Sequence, residues 1–199
     1  MFGLPRIADS ERVGSSIVIE RHLDGAIGRH PDAPAPGSTI ASHYRMCVGC
    51  GPDHPTGLHV TVTAGEGLTV SGRFTVTDDH QGAPGLAHGG MLSLAFDEVL
   101  GSLIWLIGKP AVTGHLETSY RRPVPVGTTL FIDAAVDGAE GRKIFMSATG
   151  RENAADGPVS VTASAVFVVV PPTHFIEHGR AVEPSELSEA AAKVAEVNP

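Results

Sequence analysis

Seventeen residues from Met91 to Ile107 form the most apolar stretch of the chain, and its only charges are Asp97 and Glu98. Leu92, Leu94, Phe96, Val99, Leu100, Leu103, Ile104 and Leu106 leave a helix here no clear polar face, so it must be covered on most sides. The run is short for a membrane span and carries two acids, which favours a buried helix over a spanning one. Asp97 is the anomaly. An uncompensated buried polar group costs roughly 2–7 kcal/mol, and an ionised one more. Asp97 lies too deep in the segment to serve as a helix N-cap. Either dedicated donors satisfy it, the usual fate of a core carboxylate, or chemistry requires it.

Around this segment the apolar period is two. Leu58–Thr63 alternates cleanly, Gly65-Glu66-Gly67 can turn it, and Leu68–Val76 alternates again. After the helix come Thr113–Arg121, Thr128–Val136, Lys143–Arg151 and Ser160–Val170, each bounded by Gly or Pro signals. Short connections among these late strands favour antiparallel pairing. Two strands, one apolar helix and four strands predict an α+β hotdog fold, a curved antiparallel sheet wrapped around a long central helix.

The chain has 199 residues, enough for one domain with tails. Residues 1–45 read as an N-terminal arm and linker, with Ile17–Leu23 a short strand or helix and Asp32–Ser38 the linker. Residues 46–172 read as the hotdog domain and 173–199 as a tail whose short helix begins near Pro184, with Ser185 as its cap. A net charge of −8 argues against a nucleic-acid partner. No secretory signal is evident at Met1–Arg6, so a cytoplasmic location is the default. The only cysteines, Cys47 and Cys50, make one CxxC without a second pair. Neither His43 nor His54 stands at a familiar metal spacing, so the expectation is no metal and a loop-ordering role.

Three motifs then fall into one pattern. His80-Gln81-Gly82-Ala83-Pro84-Gly85-Leu86-Ala87-His88-Gly89-Gly90, followed by Asp97, resembles the signature of the PaaI-like hotdog acyl-CoA thioesterases. In that family the catalytic acid follows His-Gly-Gly by seven positions, where Asp97 stands. Thr113–Pro123 resembles the strand that opens on a helper Thr or Ser and ends in Arg-Pro, and Cys47–Leu58 resembles a common lead-in. The resemblance covers about residues 46–170.

It implies hydrolysis of an acyl-CoA thioester to free acid and CoA, with no cofactor, coenzyme A being part of the substrate. Asp97 would activate water as a base or attack as a nucleophile. The Gly89 N–H, helped by that of Gly90, would hold the carbonyl oxygen at the positive end of the helix. Thr113 would hold the attacking water. His88, at the loop–helix junction, is better suited to bonding backbone across the loop than to acting as a base. Some relatives carry Asn or Gln where this chain has Gly82, and the adjacent Gln81 is the candidate substitute. Arg121 and Arg122 suit the phosphates of coenzyme A, against the alternative of solvated strand-end charge. Glu98 projects about 100° from Asp97 around the helix and is given a structural or rim role.

Two other readings stand beside this one. A silent acyl-CoA-binding module would share the fold, and a hotdog dehydratase would show a different His-plus-acid signature. The resemblance also implies a homodimer or dimer of dimers with shared sites. Free strand edges and the apolar Phe131, Phe145 and Phe167 would need a partner's cover.

Overall fold

A computed structural model describes residues 27–179. The predicted elements at Ile17–Leu23 and after Pro184 lie outside the described residues. Nine strands and two helices follow one another as β1 (Thr39–Ile40), β2 (Thr61–Ala64), β3 (Thr69–Thr75), β4 (Gln81–Ala83), β5 (Leu86–Ala87), α1 (Gly89–Ile107), β6 (Ala111–Tyr120), β7 (Thr129–Glu140), β8 (Lys143–Glu152), β9 (Val159–Val169) and α2 (Thr173–His178). Seven strands pair antiparallel in the order β1-β2-β3-β7-β8-β9-β6, and β4 and β5 form a small hairpin just before α1. The helix lies against the inner face of the large sheet, touching β2, β3, β6, β7, β8 and β9. This is the α+β hotdog arrangement.

Each predicted strand of the main sheet is present, with its ends moved by a few residues. The short β1, β4, β5 and α2 were not anticipated, because two- to six-residue elements carry too few residues to establish a period. Thr39–Ile40, in the stretch that reads as arm and linker, pairs with Val62 and Thr63 and buries Ile40.

Both ends of α1 are capped. His88 is extended and its ring nitrogen Nδ1 accepts from the Gly90 N–H at 2.9 Å. Gly108 ends the helix in the left-handed conformation at φ 68°, donating to the Ile104 carbonyl, with Pro110 following. Leu92, Ala95, Phe96, Val99, Leu100, Leu103 and Leu106 then point into the sheet. Fully burying one such leucine or phenylalanine contributes about 1.5–3 kcal/mol.

The sheet makes room where the helix comes closest. A side chain at Gly150 would stand 2.7 Å from the Phe96 ring, and one at Gly72 would strike Val99. The helix is not covered all round, however. Met91, Leu94, Gly101, Ile104 and Trp105 are only half-buried, a stripe at helical spacing that also holds Asp97 and Glu98. Length and composition alone would let α1 cross a membrane, so its packing on the sheet is what marks it as a core helix. The expectation for Phe167 is corrected: it shares the inward phase of Val161, Ala163 and Ala165 and is buried. Phe131 and Phe145 fall in the opposite phase, half-buried on the outer face, with Arg73 lying over the Phe131 ring.

Replacing Phe96 by alanine should cost about 3–5 kcal/mol through the cavity left at the helix–sheet contact. Gly72→Leu should cost about 1–3 kcal/mol by overpacking against Val99. Urea midpoints of the two variants measure both.

Candidate active site

A polar seam runs between α1 and the sheet's edge strand β6. Thr113 Oγ1 donates to Asp97 Oδ1 at 2.8 Å. One turn earlier, Ser93 Oγ lies 2.6 Å from the Tyr120 hydroxyl and 3.1 Å from Thr118 Oγ1. A further turn back, the Tyr120 hydroxyl donates to the Gly89 carbonyl at 2.9 Å. Residues 89, 93 and 97 repeat every four positions, so one face of the helix carries the whole seam. Asp97 is half-buried, with Thr113 as a fixed partner on one of its oxygens. Its place in an apolar helix is thereby tolerable.

Strand phase brings Thr113 there. Thr113 and Thr118 are five apart, and in a regular strand they would face opposite sides. Between Thr113 and His115 the register with β9 shifts: Thr113 pairs with Phe167, His115 with Val166, and Gly114 is the extra residue of a β-bulge. Thr113 opposes Phe167, and Thr118 and Tyr120 oppose Ala163 and Val161, all inward residues. Ser93, Thr118 and Tyr120 escaped the sequence reading, since the face they share with Thr113 depends on this bulge. The Thr-to-Tyr spacing gave no hint of it without a register.

The loop–helix junction assigns the remaining residues. His88 caps the helix through its ring, and its N–H donates to the His80 carbonyl at 2.8 Å. The Gly90 N–H is therefore occupied and does not share the carbonyl-holding role expected for it. The Gly89 N–H has no acceptor among the described residues and remains the donor available at the helix start. Gln81 is occupied as well: its amide donates to Asp78 and its Oε1 accepts from the Gly85 N–H at 2.7 Å. It braces its own loop instead of facing a ligand. A side chain at Gly82 would meet His88 Cα at 2.9 Å, the physical reason an Asn or Gln does not fit there. Arg121 and Arg122 are exposed directly after Tyr120, beside the helix start.

Glu98 sits on another face, inside a second cluster. The lead-in segment before β2 folds against the helix so that His43, Cys47, Cys50 and Glu98 bring ligand-type atoms within 4.8 Å of one another. Cys47 Sγ is 3.5 Å from Glu98 Oε2, and Cys50 Sγ is 3.5 Å from His43 Nδ1. A hydrogen bond with the Cys50 thiol holds the Cys47 thiol well below its ordinary range, at about 3, and keeps the proton of the pair on Cys50, whose own value is pushed up. Burial raises Glu98, and a hydrogen bond with Cys47 raises His43. The spacing argument weighed the cysteine pair with His43 and His54 and left Glu98 out. Glu98, 48 residues beyond Cys50, joins it through the fold alone.

The fold is thus a hotdog sheet whose central helix presents a free amide at its start and a hydroxyl-bonded carboxylate at its middle. The family model of the thioesterase superfamily matches residues 84–153. A crystal structure of a thioesterase superfamily protein is 31% identical, covers 69% of this chain and 70% of its own, and has a TM-score of 0.58. The chain belongs to the thioesterase superfamily. Acyl-coenzyme A thioesterase THEM4 of Xenopus laevis is 33% identical over 93 residues, 46% of this chain and 41% of that protein. The E. coli PaaI protein from the phenylacetic acid degradation operon shares the fold at 17% identity, with a TM-score of 0.53 over 57% of this chain and 80% of its own. The chain spans less than half the length of the curated relatives it matches.

The cap makes a stability prediction. His88→Ala should cost about 0.5–2 kcal/mol, and His88→Asn, which restores an acceptor at the cap, should recover most of it. Thermal unfolding of the two variants checks this.

Proposed function

We propose that the protein hydrolyses acyl-CoA thioesters. The observation that carries this reading is the Thr113–Asp97 hydrogen bond on a helix whose first free N–H, at Gly89, is left without a partner. Thr113 engages Oδ1 and leaves Oδ2 for a water. That water gives its proton to Asp97 as its oxygen bonds to the thioester carbon, and the negative charge gathers on the carbonyl oxygen at the Gly89 N–H. The intermediate collapses by breaking the C–S bond. Asp97 then returns the proton to the departing CoA thiolate. Acid, amide and water suffice, without a cofactor. The name of the THEM4 relative supports the same substrate class.

Geometry within one chain supports a site shared by two. Gly89 and Asp97 are eight residues apart, which is about 12 Å along a helix. A carbonyl oxygen lies about 1.2 Å from its carbon, and both groups must act from about 3 Å. Even with one water between Asp97 and the carbonyl carbon, a fully extended path reaches only about 10 Å, so Gly89 of the partner is better placed than that of the same chain to serve the thioester that Asp97 attacks. The free edge of β6, with Thr113 and Tyr120 exposed beside it, is where a second chain would extend the sheet and bring its helix start near. The half-buried Met91, Leu94 and Trp105 on the stripe of α1 that holds Asp97 suit an acyl chain or the partner's surface.

Asp97→Asn should lower acyl-CoA hydrolysis, followed by thiol release, by about 10²–10⁴-fold in a folded protein. Turnover near that of the parent in this variant overturns the assignment. Thr113→Val should reduce kcat to a smaller degree, and Arg121→Ala with Arg122→Ala should raise KM while changing kcat little. For the shared site, Asp97→Asn chains are reassociated with Gly89→Leu chains. Heterodimers should regain about one working site of two, since one pairing joins both intact groups. Proven heterodimers without activity exclude the shared arrangement.

A further inference from the structure

We propose that His43, Cys47, Cys50 and Glu98 form a structural site for a thiophilic divalent cation, zinc foremost, which fastens the lead-in segment to the middle of α1. The site is separate from the Asp97 seam and does not depend on thioester hydrolysis.

Three of the separations fall in the range of a metal tetrahedron. Zinc binds sulfur at about 2.3 Å and nitrogen or oxygen at about 2.0–2.2 Å, so tetrahedral ligand atoms stand about 3.3–3.8 Å apart. Cys47 Sγ to Glu98 Oε2 is 3.5 Å, Cys50 Sγ to His43 Nδ1 is 3.5 Å, and His43 Nδ1 to Glu98 Oε1 is 3.8 Å. No pair of the four exceeds 4.8 Å. Direct hydrogen bonding would draw an imidazole and a carboxylate closer than 3.8 Å. Space for a central ion explains a separation that suits neither a tight ion pair nor free solvation.

The surroundings are those of a thiolate cage. The Gly49 N–H donates to Cys47 Sγ at 3.4 Å and the Ser42 hydroxyl stands 3.2 Å from Cys50 Sγ. Such partners orient ligating sulfurs and carry part of their charge. A side chain at Gly49 would collide with the Glu98 carboxylate, so glycine there lets the loop close over that ligand. Two sulfurs and a carboxylate facing one another also repel when ionised. A dication turns that repulsion into attraction, releasing the thiol protons to solvent. Four protein ligands fill a tetrahedron and leave no open position, which makes the site structural, not catalytic.

The test uses the full chain, purified without chelator or nickel resin, and elemental analysis for zinc. About one zinc per chain is expected, with cobalt(II) exchanged into the same site giving the intense visible absorption of a tetrahedral thiolate complex. Glu98→Gln, which keeps the side chain's shape, should weaken zinc binding by about tenfold or more. The double variant Cys47→Ser, Cys50→Ser should hold none. Chelation should lower the melting temperature of the parent protein and leave that of the double variant unmoved. A parent chain that stays below about a tenth of an equivalent after zinc addition and desalting overturns the site. So does a Cys47–Cys50 disulfide in protein prepared without oxygen, or zinc retained by the double variant. All these readings are independent of turnover, so failure of the cation site and failure of the thioesterase reading are told apart.

Discussion

The burial of α1 on one side only is the constraint from which the other features descend. An apolar helix gains most of its stability from the sheet face it covers, through Phe96, Val99, Leu100 and Leu103. The opposite face is left with a half-covered stripe of Met91, Leu94, Ile104 and Trp105. On that stripe a carboxylate is neither drowned in solvent nor sealed in the core. Asp97 keeps an accessible oxygen while Thr113 steadies the other. A fully wrapped helix would have required Asp97 to be paired on all sides or neutral.

Much of the fold was legible because period and punctuation agreed. Six strands and the helix stand where alternation, Gly and Pro placed them. The sheet's edge was not, since β1 is two residues long and earns its place through register with Val62 and Thr63. Within the site, Asp97 stood out by its cost and Gly89 by the helix start, and the structure puts Thr113 on Asp97. Gly90 and Gln81 were misread for one reason. A sequence shows which groups can bond a ligand but not which are already taken by His88, Asp78 and Gly85.

The four-residue cluster shows the complementary case. Ligand spacing along a chain is informative when one loop supplies the ligands, as for CxxC. Glu98 arrives from a helix, and the structural or rim role expected for it left its contacts with Cys47 and His43 unspecified. Neighbouring acids on α1 thus serve two neighbourhoods: Asp97 meets the edge strand and Glu98 meets the lead-in loop. The turn of the helix between them makes that division possible.

The bulge at Gly114 carries a consequence for folding as well. β6 and β9 are far apart in sequence, and their register is settled only when β9, the last strand among the described residues, closes on its edge partner. Pairing without the extra residue would leave the inward phase from Leu116 to Tyr120 unchanged, along with most of the buried core, while turning Thr113 outward. Such a chain would leave Asp97 without its Thr113 partner. In this protein a single unpaired residue decides whether Thr113 faces Asp97.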